Sequence, residues 1–163
     1  MNLPVVVSDT SPIRALAFLG TLPLLRALYG QVLIPHAVEA ELRSPRDGGN
    51  PVDLAKFSFI EVRGANDVSR IAELLADLDP GEAEAIALAA EVPGTLLLID
   101  ERKARRFAQS AGFRTMGTLG VLLQAKRANL IPAIKPLLFE LRTGLRFFIS
   151  DELCQQVLKI AGE

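Results

Sequence analysis

Two short runs, PVVVSD at Pro4–Asp9 and TLLLID at Thr95–Asp100, are apolar through their centres, and each ends in an aspartate. Neither alternates polar with apolar residues, so neither suits a strand with one wet face. A short unbroken apolar run fits a strand buried on both sides. Val32–Ile34 repeats the pattern. Each run leads into a helix signal: Ser11-Pro12, then Pro35, then the charged amphipathic stretch from Glu101. Doubly buried strands alternating with helices restrict the chain to a parallel sheet between helical layers. The expected fold is a three-layer α/β/α sandwich with a central, mainly parallel sheet. In such sheets the working crevice lies outside the carboxyl ends of the strands. Asp9 and Asp100 both fall there, so both belong to one rim.

The same patterns predict strands over 57–62 and 113–116 and an edge strand over 146–149. Helices are expected from Ser11 as N-cap and over 22–28, 35–43, 68–77, 79–91, 101–111, 118–128 and 132–141. A last helix starts from Ser150. Its stripe of Leu153, Val157 and Ile160 is expected to close the core. SPRDGGNP, 44–51, is dense in turn formers and reads as a loop. The 163 residues suit one domain over 1–163. A formal net charge of −1 gives no global field for nucleic acid, so any such binding needs a local patch. No apolar run approaches the ~18–20 residues of a membrane span. MNLPVVVSD lacks the basic start and long apolar centre of a secretory signal. The single Cys154 cannot close an internal disulfide, which suits a reducing compartment. A cytoplasmic protein is expected.

The acidic residues stand out next. With Ser11 as cap and Pro12 as first helical residue, Asp9 is free for another role. Asp100 closes LLLID at the matching place. On the wheel begun at Pro35, Val38 and Leu42 mark the inner face. Glu41 lies about 60° from Val38, while Glu39 lies about 100° away on the other side. Glu41 therefore borders the buried face. In LDPGEAEAIALAAE, Asp79 and Glu82 have the spacing of a capping box, which gives Glu82 a structural task. Glu84 has no such task and is preferred; GEAE leaves Glu82 as the alternative. Carboxylates gathered on one rim repel and raise one another's pKa unless a cation sits among them. Oxygen ligands favour Mg²⁺ or Mn²⁺, and one histidine with one distant cysteine makes no zinc site. Such a cluster suits hydrolytic phosphoryl transfer. A dehalogenase-type phosphatase site needs a second aspartate two residues after the first, where Ser11 stands.

The segments VVVSDTSPI, LYGQVLIPHAVEAEL, LDPGEAEAIALA, LLLIDERKARRFAQSAGF, MGTLGVLLQAKRANLI and RFFISDELCQQVLKIAGE together span nearly the whole chain. In that order they resemble a PIN-domain protein, of the kind that includes VapC-like ribonuclease toxins. The resemblance is to a prokaryotic branch formerly described as a domain of unknown function. It implies a Rossmann-like fold with four acidic metal and catalytic residues at Asp9, Glu41, Glu84 and Asp100, with Ser11 supporting the first. It implies Mg²⁺- or Mn²⁺-dependent endonucleolytic cleavage of single-stranded RNA, a small antitoxin as partner, and a homodimer. The alternative is a catalytically silent PIN-like module kept for dimerisation or partner binding.

RNA needs cations near the rim. Arg102, Lys103 and Arg106, with Arg105, directly follow Asp100 and are the expected RNA-binding residues; Lys126-Arg127 and Arg142 with Arg146 are weaker candidates. Aromatic residues make up only 6% of the chain and Trp is absent, which leaves few donors for base stacking.

Overall fold

The computed structural model describes residues 3–145 and 147–163. Among them five strands form one parallel sheet: β1 (Val6–Ser8), β2 (Val32–Ile34), β3 (Ile60–Val62), β4 (Leu96–Leu98) and β5 (Arg114–Met116), in the order β3-β2-β1-β4-β5. β1 is the hinge of the order. Val6 pairs with Val32 on one side and Leu96 on the other, and Ser8 pairs with Leu98. The chain leaves β1 toward β2 and β3, then returns to the other side of β1 as β4. Ligand crevices of open α/β sheets form at such a reversal.

The unbroken apolar runs are explained by two cores, one on each face. Val6, Val32, Ile34, Leu96 and Leu98 enter one; Val7, Leu33, Leu97 and Ile99 enter the other. The first core is completed mainly by α1 (Thr10–Phe18), α2 (Pro23–Tyr29), α3 (His36–Arg43), α7 (Thr118–Arg127), α8 (Lys135–Gly144) and α9 (Asp151–Ala161). The second uses α4 (Val68–Leu74), α5 (Pro80–Glu91) and α6 (Arg102–Ser110). The alanines of α5 let it lie directly against β1 and β4. α1, α3, α6 and α7 each follow a strand, so their N-termini open on the rim where the strands end.

Four local expectations change. α1 starts at Thr10, with Asp9 rather than Ser11 in the N-cap position. Pro12 then sits third in the helix, still within the first turn, where its missing amide costs no intrahelical bond. α8 starts at Lys135, not at Pro132. A helix begun at Pro132 would place Pro136 in its interior, without an amide to give and with its ring against the preceding turn. The described part of the expected edge strand, Phe147–Ile149, is not a strand. The Phe147 amide instead donates to Leu141 O at 3.0 Å, turning the chain back onto α8; Arg146 lies outside the described residues. Finally, α9 is capped by Ser150, as its sequence predicts, but its stripe is only partly buried. Cys154 and Val157 enter the core, whereas Leu153 and Ile160 are 40% and 58% exposed.

Candidate active site

Asp9 closes β1, and its amide donates to Leu98 O at 2.9 Å, joining the strand end to β4. Its side chain makes no cap hydrogen bond to α1, and the residue is only 6% exposed. Burial pushes its carboxyl from 3.8 up to about 7, and the charges of Asp79, Glu82 and Asp100 add to that rise. The Thr10 amide works against it. Gly81 makes the approach possible. A Cβ there would stand 3.1 Å from Asp9 Oδ1 and 3.5 Å from Asp79 Oδ1.

Asp100 follows β4 on the neighbouring strand. Glu101, not Asp100, caps α6, accepting the Ala104 amide at 2.7 Å. The Asp100 carboxylate is free to turn to α7. Thr118 donates its amide to Oδ1 at 2.7 Å and its hydroxyl to Oδ2 at 2.6 Å. Burial raises the Asp100 carboxyl, while the two Thr118 bonds and the Arg105 charge oppose the rise. Gly117 again keeps the space open, since a Cβ would lie 2.9 Å from Asp100 Oδ1.

Of the two glutamates at the start of α5, Glu82 is the one whose charge acts on Asp9. Glu82 forms the expected capping box: its amide donates to Asp79 Oδ1 at 2.8 Å and its carboxylate accepts the Asp79 amide at 3.1 Å. It also acts on Asp9. Burial lifts its own carboxyl, helped by Asp79 and Glu101 and opposed by the Asp79 amide and Lys103. Capping and joining the cluster are compatible because the N-terminus of α5 is itself at the rim. Glu84 points to another element and accepts the Ala37 amide at 3.1 Å, satisfying a free donor in the first turn of α3. That bond is why a glutamate stands on so apolar a helix. Glu41 is engaged with Arg14 Nη2 at 3.5 Å. Arg14 bonds Asp47 Oδ2 at 3.0 Å as well, tying the 44–51 loop to α1. The structure thus gathers Asp9, Asp79, Glu82 and Asp100, and leaves Glu41 and Glu84 to other partners. Asp79, Arg14 and Thr118 are additions. Arg14 had one signal, as the lone charge in TSPIRALAF; Thr118 had none beyond its place after a strand.

A family model described as a PIN domain matches residues 5–163. The chain belongs to the PIN-domain family. No curated protein matches it. PIN domains are generally nucleases that use divalent metals. In this PIN domain Asp9, Glu82 and Asp100 offer oxygen donors only, which suits such an ion. Gly81 and Gly117 let the chain pass close to the Asp9 and Asp100 carboxylates, where a Cβ would crowd them. Among the described residues, however, no three acidic, His or Cys side chains converge closely enough to hold an ion as they stand.

Two open grooves border this PIN domain's acidic rim. One, about 1080 Å³, runs from Asp100 past Arg102, Arg105, Arg106 and Gln109 to Leu153 and Ile160. Positions 102, 105, 106 and 109 share one helix face. Lys103 lies off that wall and acts on Glu82 instead. Of the expected cluster, Arg102, Arg105 and Arg106 line this groove and Lys103 does not. Of the weaker candidates, Lys126 is paired with Glu163 and Arg142 with Asp151. The second groove, about 1030 Å³, includes Ser11, Arg14, Lys56 and the 47–53 loop. Ser11 lines this second groove. No helix among the described residues is long and apolar enough to cross a membrane.

Proposed function

We propose that this PIN domain is an endoribonuclease that cleaves single-stranded RNA with a Mg²⁺ or Mn²⁺ ion held by Asp9, Glu82 and Asp100. One observation carries the reading: Asp9, Asp100 and Glu82, from β1, β4 and the start of α5, lie at the sheet's reversal, where burial first, and then the charges of Asp79, Glu82 and Asp100, raise the Asp9 carboxyl to about 7. A divalent ion, when bound, supplies an activated water and neutralises charge developing on the phosphate and leaving oxygen. The chain's own residues do the rest. Asp9 is kept from water by the strand end and α5. Thr118 holds both oxygens of Asp100 in place. The wall of Arg102, Arg105 and Arg106 attracts the phosphates. The family resemblance extends the proposal to a cytoplasmic homodimer with a small antitoxin as partner.

The second reading, a catalytically silent PIN domain, draws on Glu41 and Glu84, which are spent on Arg14 and the Ala37 amide. Calorimetric titration of Mn²⁺ into wild type and Asp9→Asn, beside cleavage of a fluorescent single-stranded RNA, separates the two. Metal binding and cleavage that both vanish in Asp9→Asn support the nuclease. A wild type that neither binds metal nor cleaves supports the silent module.

A further inference from the structure

Phe148 is 91% exposed, and its neighbours hold it so. On one side the Phe147 amide is bonded to Leu141 O; on the other Ile149 is buried and Ser150 caps α9 through the Leu153 amide at 3.1 Å. A residue set between two inward anchors turns outward. Phe147 and Phe148 line both grooves, so the Phe148 ring stands on the ridge between them. Phe18 and Phe57 line the groove beside Arg14 and Lys56. The sequence is poor in aromatic residues, yet four of its eight phenylalanines lie along these two grooves. The groove past Asp100 is lined as well by Arg102, Arg105 and Arg106, none of which makes an ion pair among the described residues. Three guanidinium groups without an ion pair among the described residues, in one groove with an exposed π-face and with Asp100 at its end, match what a single nucleic-acid strand offers: phosphates on one side, bases on the other. A purely apolar protein partner would leave the three guanidinium groups unmatched.

We infer that Phe148 is a stacking platform for one base of a single-stranded RNA whose backbone follows the Arg102–Arg105–Arg106 wall to Asp100. Phe148 does not touch the reacting phosphate; it is a positioning residue that sets where along the strand Asp100 is presented. The inference rests on the RNA-cleaving reading above. Stacking tolerates every base and favours the larger purines.

The test uses the full chain with chelator present, at low salt, and a single-stranded oligoribonucleotide carrying 2-aminopurine. Phe148→Ala should weaken binding roughly tenfold and remove the quenching of 2-aminopurine, and Phe148→Tyr should restore both. Its salt dependence should match wild type, whereas Arg106→Ala should lower the slope of log affinity against log salt by about 0.7. Phe139→Ala, exposed on α8 and outside both grooves, should change nothing. If Phe148→Ala binds and quenches like wild type while Arg106→Ala binds less tightly, the platform is overturned and the RNA reading stands. If wild type binds no RNA, both fall. If Phe148→Ala changes the sedimentation coefficient and leaves RNA affinity alone, the ridge is a contact between copies and the platform is overturned.

Discussion

Asp9 carries an ionisable group where water barely reaches it, and its titration links stability to pH. Its folded pKa is raised, from 3.8 to about 7. Its contribution to stability is therefore fully present below the unfolded value and lost as pH rises through about 7. Without metal, Asp9→Asn should be the more stable protein at about pH 8, by up to about 4 kcal/mol, and nearly equal to wild type at about pH 4. Urea unfolding with chelator present measures this, and an equal difference at both pH values would contradict it. Metal binding must expel the same proton, so Mn²⁺ affinity should climb between about pH 6 and pH 8. At the third acid, Glu82→Gln should abolish cleavage. Glu84→Gln should keep cleavage and lose about 1 kcal/mol of stability, as a helix-cap change does; the reverse pattern in a cleavage assay would restore Glu84 to the site. Thr118→Val removes the hydroxyl bond that lowers the Asp100 carboxyl. The acidic limb of its pH–rate profile should move to higher pH, a shift that a merely structural role would not produce. The aspartates themselves were legible because each ends an apolar run. Their partners were not, since nothing local in VVVSD or LLLID names Thr118 or Glu82.

Among the elements, α5 shows how a helix start can serve two purposes. Its cap was readable from DPGE, because a capping box is a spacing within four residues. That very assignment led away from Glu82, on the premise that a capping residue is already spent. At a helix that begins on the rim, capping does not take the carboxylate away: Glu82 caps α5 and its charge still acts on Asp9. Gly81 belongs to the same helix start. Gly81→Ala should help the helix by up to about 1 kcal/mol. It should nevertheless reduce Mn²⁺ affinity and cleavage, because the new Cβ meets Asp9 Oδ1 at 3.1 Å. Thermal unfolding and calorimetry on the same variant should move in opposite directions. α8 carries a plainer lesson. Pro132 looked like a helix start, but Pro136 had the stronger claim, since a proline four residues into a helix blocks it.

At the scale of the whole molecule, function depends on β4 lying beside β1. That neighbour relation brings Asp100 next to Asp9, although 90 residues of chain separate them. Leu98 pairs with Ser8 at this seam and is fully buried. Leu98→Ala should cost about 2–5 kcal/mol in urea unfolding and cut divalent affinity as the two strand ends loosen. A stability loss that leaves metal affinity intact would mean that the rim is held by the helix starts alone.

By itself the sequence determined the layers and most of the elements, though not the segment 147–149 or the start of α8. Doubly buried strands need unbroken apolar runs, helix starts need caps and early prolines, and both are written over a few consecutive residues. It also determined that acids would crowd one rim, because the parallel α/β rule places strand ends there. Only the tertiary structure decided which charge meets which: Glu82 with Asp9, Glu84 with the start of α3, Arg14 with Glu41 and Asp47, Arg105 beside Asp100. It also decided that scattered phenylalanines would line two neighbouring grooves. The physical reason is that these meetings depend on strand order and on the packing of elements far apart in the chain. No local period encodes such contacts.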